Sequence, residues 1–421
     1  MNKKINLAVA GAVLLASATA ANAGIIIPAG EWTMDINGNV NAFYTYTDVK
    51  TVGTGNGIID GLALSGTDDT RHDITTGLLP SWLGFTGTTR QNDLDVSFTV
   101  SFQTAVAENT WHGDGSLGPG NNSAVMNRQT FVTFGDKTWG TVKLGKDLGI
   151  YASDAILNDM TLLGVGAGTG VNGVAQNTTF GGIGTGYQYA AWKGQLSYTT
   201  PNMNGLQATI GVTNPNMMGQ GQASQDRLGI EAKVSYDAAV GSSSVRVWSS
   251  AASYDVTQVA SAGSWVQTAA GAGSQVGATF ADEYTVSAYD LGARVSIGNL
   301  GVVAYLYDGN ANGTTALGLL GRDTTGTNVG VDQDGSGGYL QATYVIPTGT
   351  KLGAAYGVSR LDSSSATGHD EQNRWTVGAY HPLTKHLNLV AEFNNVASED
   401  KNAATNDLEY NSVSLGAILF F

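Results

Sequence analysis

Between Trp32 and Thr47 apolar and polar residues alternate with a period of two. One parity holds Trp32, Met34, Ile36, Gly38, Val40, Ala42, Tyr44 and Tyr46, and the other Thr33, Asp35, Asn37, Asn39, Asn41, Phe43, Thr45 and Thr47. Successive side chains of a strand point to opposite faces, so this pattern predicts a β-strand with one oily and one wet face. Leu94, Val96, Phe98, Val100 and Phe102 alternate in the same way with Asp95, Ser97, Thr99, Ser101 and Gln103. Further on, Leu228, Ile230, Ala232, Val234 and Tyr236 alternate with Arg227, Gly229, Glu231, Lys233 and Ser235. A soluble sandwich shares such alternation. It does not readily put aromatics at both ends of the oily face, as Trp32, Tyr44 and Tyr46 are placed here, which is the girdle of a lipid-facing strand.

Sixteen segments follow this rhythm: 31–47, 78–89, 93–107, 127–135, 139–147, 185–199, 205–214, 226–239, 243–256, 284–297, 300–308, 337–346, 350–361, 371–381, 386–397 and 408–421. Their connections alternate in length. Phe134–Thr138, Gly298-Asn299 and Pro347–Gly349 are short, whereas 48–77, 108–126, 148–184, 257–283 and 309–336 are long. The expectation is an all-β protein: a closed 16-stranded antiparallel transmembrane β-barrel with short periplasmic turns and long external loops. An even strand count puts both ends of the barrel on the periplasmic side. Tyr410–Phe421 should pair with the first strand, because an open edge in hydrocarbon leaves each unpaired backbone group costing several kcal/mol.

The first residues read differently. Lys3 and Lys4 precede an apolar run from Ile5 to Ala18, and Ala21-Asn22-Ala23 fits a small-x-small cleavage site. Residues 1–23 are therefore expected to be a cleaved signal peptide, too short in its apolar part for a spanning anchor, with the barrel occupying 24–421. The chain has 58 Gly and only 7 Pro, and no segment carries a convincing helical period. It has no Cys, which excludes disulfides, thiol chemistry and thiolate metal sites. Once Lys3 and Lys4 leave with the leader, 18 basic residues face 34 acidic ones, a formal charge of −16. That field makes nucleic acid an unsuitable partner.

The loop 148–184 stands apart. Tyr151, Ile156, Leu157, Met160, Leu162, Leu163 and Val165 give it an apolar cluster that an exposed loop has no use for. Folding inward against the wall would bury that cluster and narrow the lumen; an external cap or a subunit contact is the alternative. Asp147, Asp154 and Asp159 lie at the start of the segment, and Lys143, Arg227, Lys233, Arg246, Arg294 and Arg374 occupy lumen parity on strands. Acidic loop against basic wall would set up a transverse field. With the net charge, it gives an expected mild cation preference, weak in a wide pore because salt screens beyond ~8 Å.

Several stretches are similar to one family. Arg128-Gln129-Thr130-Phe131-Val132 followed by Trp139-Gly140-Thr141-Val142-Lys143-Leu144-Gly145-Lys146 resembles the strand-turn-strand signature of the trimeric general-diffusion porins of Gram-negative outer membranes, beta-proteobacterial type. That family usually has Phe at the place of Trp139 and Arg at the place of Lys146. Leu196–Leu206 and Tyr380–Leu387 resemble its later segments, and Phe421 its terminal assembly signal. The resemblance implies a homotrimer of separate pores among outer-membrane lipid and lipopolysaccharide, delivered by periplasmic chaperones and barrel assembly machinery. It implies passive diffusion of small hydrophilic solutes and ions, with no cofactor. It also implies a constriction with Asp147, Asp154 and Asp159 as the acidic side and Arg128, Lys143 and Lys146 as candidates for the basic side. Lys146 shares the parity of outward Leu144, and Lys lacks the planar fork of Arg.

Other chemistry is thin. The histidines His72, His112, His369, His381 and His386 form no spaced metal pair. His72 with Asp69 and Asp73 allows a hydrolytic triad only on paper, so an enzyme is a distant reading. Asp332–Ser336 lacks most of a calcium loop and reads as a solvated turn. A sugar- or anion-selective channel on the same barrel is the nearer alternative, although lumen-parity aromatics such as Phe43 form no evident track.

Overall fold

A computed structural model of the chain describes residues 24–51, 70–104, 106, 125–168, 178–214, 227–261, 264–269, 272–276, 279–314, 332–363, 369–400 and 407–421. The leader expected at 1–23 and His112 lie outside these. In chain order the strands are β1 (Ile25–Ala29), β2 (Trp32–Thr51), β3 (Thr70–Thr75), β4 (Ser81–Gln91), β5 (Leu94–Thr104), β6 (Met126–Asp136), β7 (Gly140–Leu148), β8 (Trp192–Thr199), β9 (Leu206–Thr213), β10 (Gly229–Val240), β11 (Ser243–Ser261), β12 (Ser264–Ala269), β13 (Ala272–Val276), β14 (Thr279–Ile297), β15 (Leu300–Asn310), β16 (Gln333–Val345), β17 (Lys351–Ser363), β18 (His369–Pro382), β19 (Leu387–Asp400) and β20 (Leu408–Phe420).

Antiparallel pairing runs from β2 to β4, strand to strand through β11, on to β14, and through β20 back to β2. The result is a closed barrel of sixteen staves. One stave is double: β3 pairs with the upper half of β2 and β4 with the lower half. Asn41 bridges the break between them, accepting from Gly77 N at 2.9 Å and donating to Leu79 O at 2.8 Å. β12 and β13 form a separate hairpin within the 257–283 connection, which the sequence pattern leaves as loop.

Between consecutive staves seven connections are short, from Asn92-Asp93 through Leu383–His386, and all lie at one end. Asn92 and Asp93 both adopt positive φ (48° and 64°), the geometry of a tight hairpin turn that matches strand twist. The opposite end carries the long loops.

The seam lies at β2. Asn39–Thr51 registers with β20, and Gly38 exchanges backbone hydrogen bonds of 2.8 and 3.1 Å with Phe421. Below that point β1 takes over the same edge, with Ile25 opposite Ile36 and Ala29 opposite Trp32. β1 and β20 therefore lie end to end along one flank of β2.

Outward residues follow the expected parity. Val40, Leu144, Leu196, Ile210, Ile230 and Leu415 are exposed, as a lipid-facing band requires. Trp139, Tyr198, Tyr236 and Tyr344 stand exposed near the short-turn end. The packed core is inside, between the wall and one loop.

Candidate functional site

That loop follows β7. It turns into the barrel, forms the short helix α1 (Ser153–Asn158) and a 3-10 turn (Met160–Leu163), and returns to β8. Its return includes 185–191, which alternation alone assigns to a strand. Positive φ at Gly186 (147°) and Ala191 (59°) breaks the strand geometry there.

Two glutamates hold the loop. At its root Glu231 of β10 accepts the backbone N–H groups of Ile150 (2.8 Å) and Tyr151 (2.9 Å), while Lys193 pairs with its other oxygen. At its far end Glu392 of β19 accepts Val165 N and Gly166 N, each at 2.9 Å, and the Tyr380 hydroxyl at 2.7 Å. A Cβ at Gly164 would fall 1.9 Å from Glu392 Oε1, so only glycine lets the carboxylate come this close. Charged acceptors satisfy backbone donors that would otherwise be stranded at membrane depth.

Between these clamps the loop follows the inner wall. Tyr339 and Gln341 of β16 bind the carbonyls of Ala155 (2.8 Å) and Asn158 (3.0 Å), and Gln341 Oε1 accepts Met160 N at 2.6 Å. Beyond Glu392, Tyr410 of β20 accepts Gly168 N at 3.0 Å, and Leu78 N donates to Gly164 O at 2.9 Å. The return leg is held by Ser359, which accepts Gly186 N at 3.0 Å. Ile156, Met160, Leu162, Val165 and Ile183 are buried against Phe43, Val303, Tyr339, Val390 and Ile418. Each such side chain contributes roughly 1.5–3 kcal/mol. Tyr187, Tyr305, Tyr307 and Tyr339 form an inward aromatic series, with neighbouring centroids 5.6–6.3 Å apart. All four are buried, so they are a floor under the loop and not a track open to solutes.

The candidate charges fall into distinct places. Asp154, in the first turn of α1, receives Lys233 (2.8 Å) and Arg246 (2.9 Å), and its side chain is only 1% exposed. Burial would push its carboxyl up, but the two cations outweigh burial and hold it below the usual carboxylate range. A lowered carboxyl keeps this pairing intact at neutral pH and loses it only as acid takes the pH down through that lowered value. Asp159 caps the 3-10 turn through Thr161 N (2.9 Å), accepts the Tyr187 hydroxyl (2.8 Å) and lies 3.6 Å from Arg374. Asp147 pairs with Lys143 and accepts Gln129 Nε2 at 2.9 Å. Arg294 reaches Asn158 at 3.4 Å.

Two candidates, Lys146 and Arg227, stand away from this group, and a third, Arg128, joins it only through Gln129, to which it donates at 3.0 Å and which in turn donates to Asp147. Arg128 is fully buried, its guanidinium 5.0 Å from the Trp82 ring and 4.2 Å from the Trp192 ring. It occupies the bulge where the β5–β6 register shifts, which fits a packing role. Lys146 lies on the outward parity and donates to Asn127 O at 2.9 Å. Arg227, mostly exposed, pairs with Asp255 at the long-loop end of β10. Sequence reasoning missed Glu392 and Lys193 and did not see Glu231 as a clamp. Their signal was their lumen parity: Glu392 lies between outward Ala391 and Phe393. Among the described residues no group of His, Asp and Glu is arranged to hold a metal ion.

The family profile described as Gram-negative porin matches residues 8–401. The chain belongs to the Gram-negative porin family. This porin has no match among curated protein sequences. Solved structures share its fold at low identity. The outer membrane channel DcaP of Acinetobacter baumannii is 14% identical, covers 94% of this chain and 99% of its own, and superposes with a TM-score of 0.62. The anion-selective porin from Comamonas acidovorans is 18% identical, with 93% and 100% covered and a TM-score of 0.56. OmpT of Vibrio cholerae in its trimer form is 14% identical, with 93% and 99% covered and a TM-score of 0.54. Family and fold together make this porin an outer-membrane channel and point to passage, not catalysis.

Proposed function

We propose that this porin forms a water-filled passage for passive diffusion of small hydrophilic solutes and ions, constricted by the loop 148–184. The observation that carries this reading is the loop's path. It rests on the inner wall from β10 round to the break between β3 and β4. The hydroxyl-rich inner faces of β4 to β7, with Thr86, Ser97, Thr99 and Lys143, keep partial access to water. Solutes pass between loop and that face.

Asp154 and Asp159 were expected to give mild cation preference by facing the passage. Their charge is spent on the wall instead. Side-chain exposure is 28% for Lys143 against 11% for Asp147, 17% for Lys233 against 1% for Asp154, and 21% for Arg246 against the same Asp154. Asp237 reverses the order, at 48% beside Arg246. The constriction therefore shows water its basic members, and the preference leans weakly to anions. A reversal potential across a potassium chloride gradient checks this. Chloride should be favoured, and a cation-favouring potential would return selectivity to the external acids.

We further read the chain as a homotrimer, joined through the outward faces of β2 and β20, where Val40, Ala42, Tyr44 and Leu415 offer a low apolar surface. Native mass in mild detergent should give three copies; monomer alone would count against it. The leader is removed after Ala23, and periplasmic chaperones and the assembly machinery, which reads Phe421, deliver the barrel to its lipid and lipopolysaccharide surroundings.

A further inference from the structure

Asp35 is an anomaly on the wet face of β2. Its Oδ1 is buried and has no hydrogen-bond partner, and the residue makes no ion pair among the described residues. An unpaired carboxylate oxygen in such a place costs free energy unless a donor comes to it. What lies against it is Gly24. A Cβ built there would fall 1.8 Å from Asp35 Oδ1 and 3.1 Å from Oδ2, so the carboxylate sits directly on the Gly24 α-carbon. The nitrogen of Gly24 is one bond from that carbon, on the same stretch of backbone that the carboxylate faces. In the uncut chain that nitrogen is a neutral amide. After cleavage between Ala23 and Gly24 it is an ammonium with three donors.

We propose that Asp35 is the built-in counter-ion of the α-ammonium created at Gly24, so that removal of the leader itself fastens β1 to β2. This rests on the leader reading above. Glycine at the new first residue is then a requirement of the receiving site, because any side chain would displace the carboxylate. The other acid nearby is the terminal carboxylate. Phe421 is bonded to Gly38, next to Asn37, and the β1–β2 register continues Gly24 opposite Asn37. The test therefore has to separate the two.

A barrel refolded from a chain beginning at Gly24 provides it. The amine is left free or acetylated, in the wild type and in Asp35→Asn, and the midpoint of heat-induced unfolding is read for all four. Acetylation should lower the midpoint in the wild type and leave Asp35→Asn nearly unmoved. Proteolysis within residues 25–31 should quicken in step with the lowered midpoint. Equal lowering in both backgrounds would assign the ammonium to Phe421 and overturn the proposal, as would no lowering in either. The first residue of the protein extracted from outer membranes is read separately. Gly24 supports the natural role. Any other residue sinks the cleavage reading, and with it that role, whatever the refolded chain shows.

Discussion

Deleting residues 155–170 should raise single-channel conductance severalfold and admit larger solutes, while the barrel still resists heat as a closed form. The loss removes Ile156, Met160, Leu162 and Val165 from their packing, and with them the Glu392 clamp and the Gln341 bridges. It leaves the root at Glu231, so the shortened loop still leaves β7 in the right direction. The sixteen-stave ladder does not depend on the loop for its backbone bonds. Wild-type conductance in a correctly folded deletion would mean that the loop covers no part of the passage. Glu392→Ala is the milder companion. It removes three bonds to a charged acceptor, each worth roughly 1.5–3 kcal/mol, and should free the far end alone, giving a noisier current.

Asp154→Asn should move the permeability ratio further toward anions by a readily measured amount. One carboxylate neutralises two cations, Lys233 and Arg246, both more exposed than itself. Its removal uncovers a pair of positive charges, one of them still opposed by Asp237. Leaving buried partners uncompensated is costly, about 3–5 kcal/mol where a pair is fully buried and less here because the cations keep some water. The loop should therefore loosen as well. Reversal potential reads the charge effect, and the change should shrink as salt rises. An unmoved ratio would place selectivity away from this triad.

The wall was legible in the sequence because it obeys one rule. Strand parity is set by the pleat, and a barrel in lipid enforces it at nearly every position, so Trp32–Thr47 and Leu94–Gln103 reveal their faces directly. Boundaries slipped where another force took over. β2 runs on to Thr51, and residues 185–191 turn inward to serve the loop. The apolar content of 148–184 announced burial, since nothing else would shelter Ile156 and Met160. The direction of its charges was not legible. Whether Asp154 faces water or wall depends on which wall residue lies opposite, and that register joins segments about 80–90 positions apart. Parity did mark Glu231 as a lumen residue. It could not say that its partners would be two backbone N–H groups.

The seam has a consequence for assembly. β2 gives one flank to both the first and the last strand of the barrel. Asn39 meets Phe420, so the ring is completed only once β20 has been made. Holding together two points roughly 380 residues apart costs about 5 kcal/mol of chain entropy, a logarithmic toll that the long β2–β20 ladder readily exceeds. A chain that stops short of β20 loses that ladder altogether and exposes two raw edges, on β2 and on β19. The architecture thus works as a check on β20: a copy without it is an open sheet that lipid rejects, and only a copy that carries it becomes a cylinder.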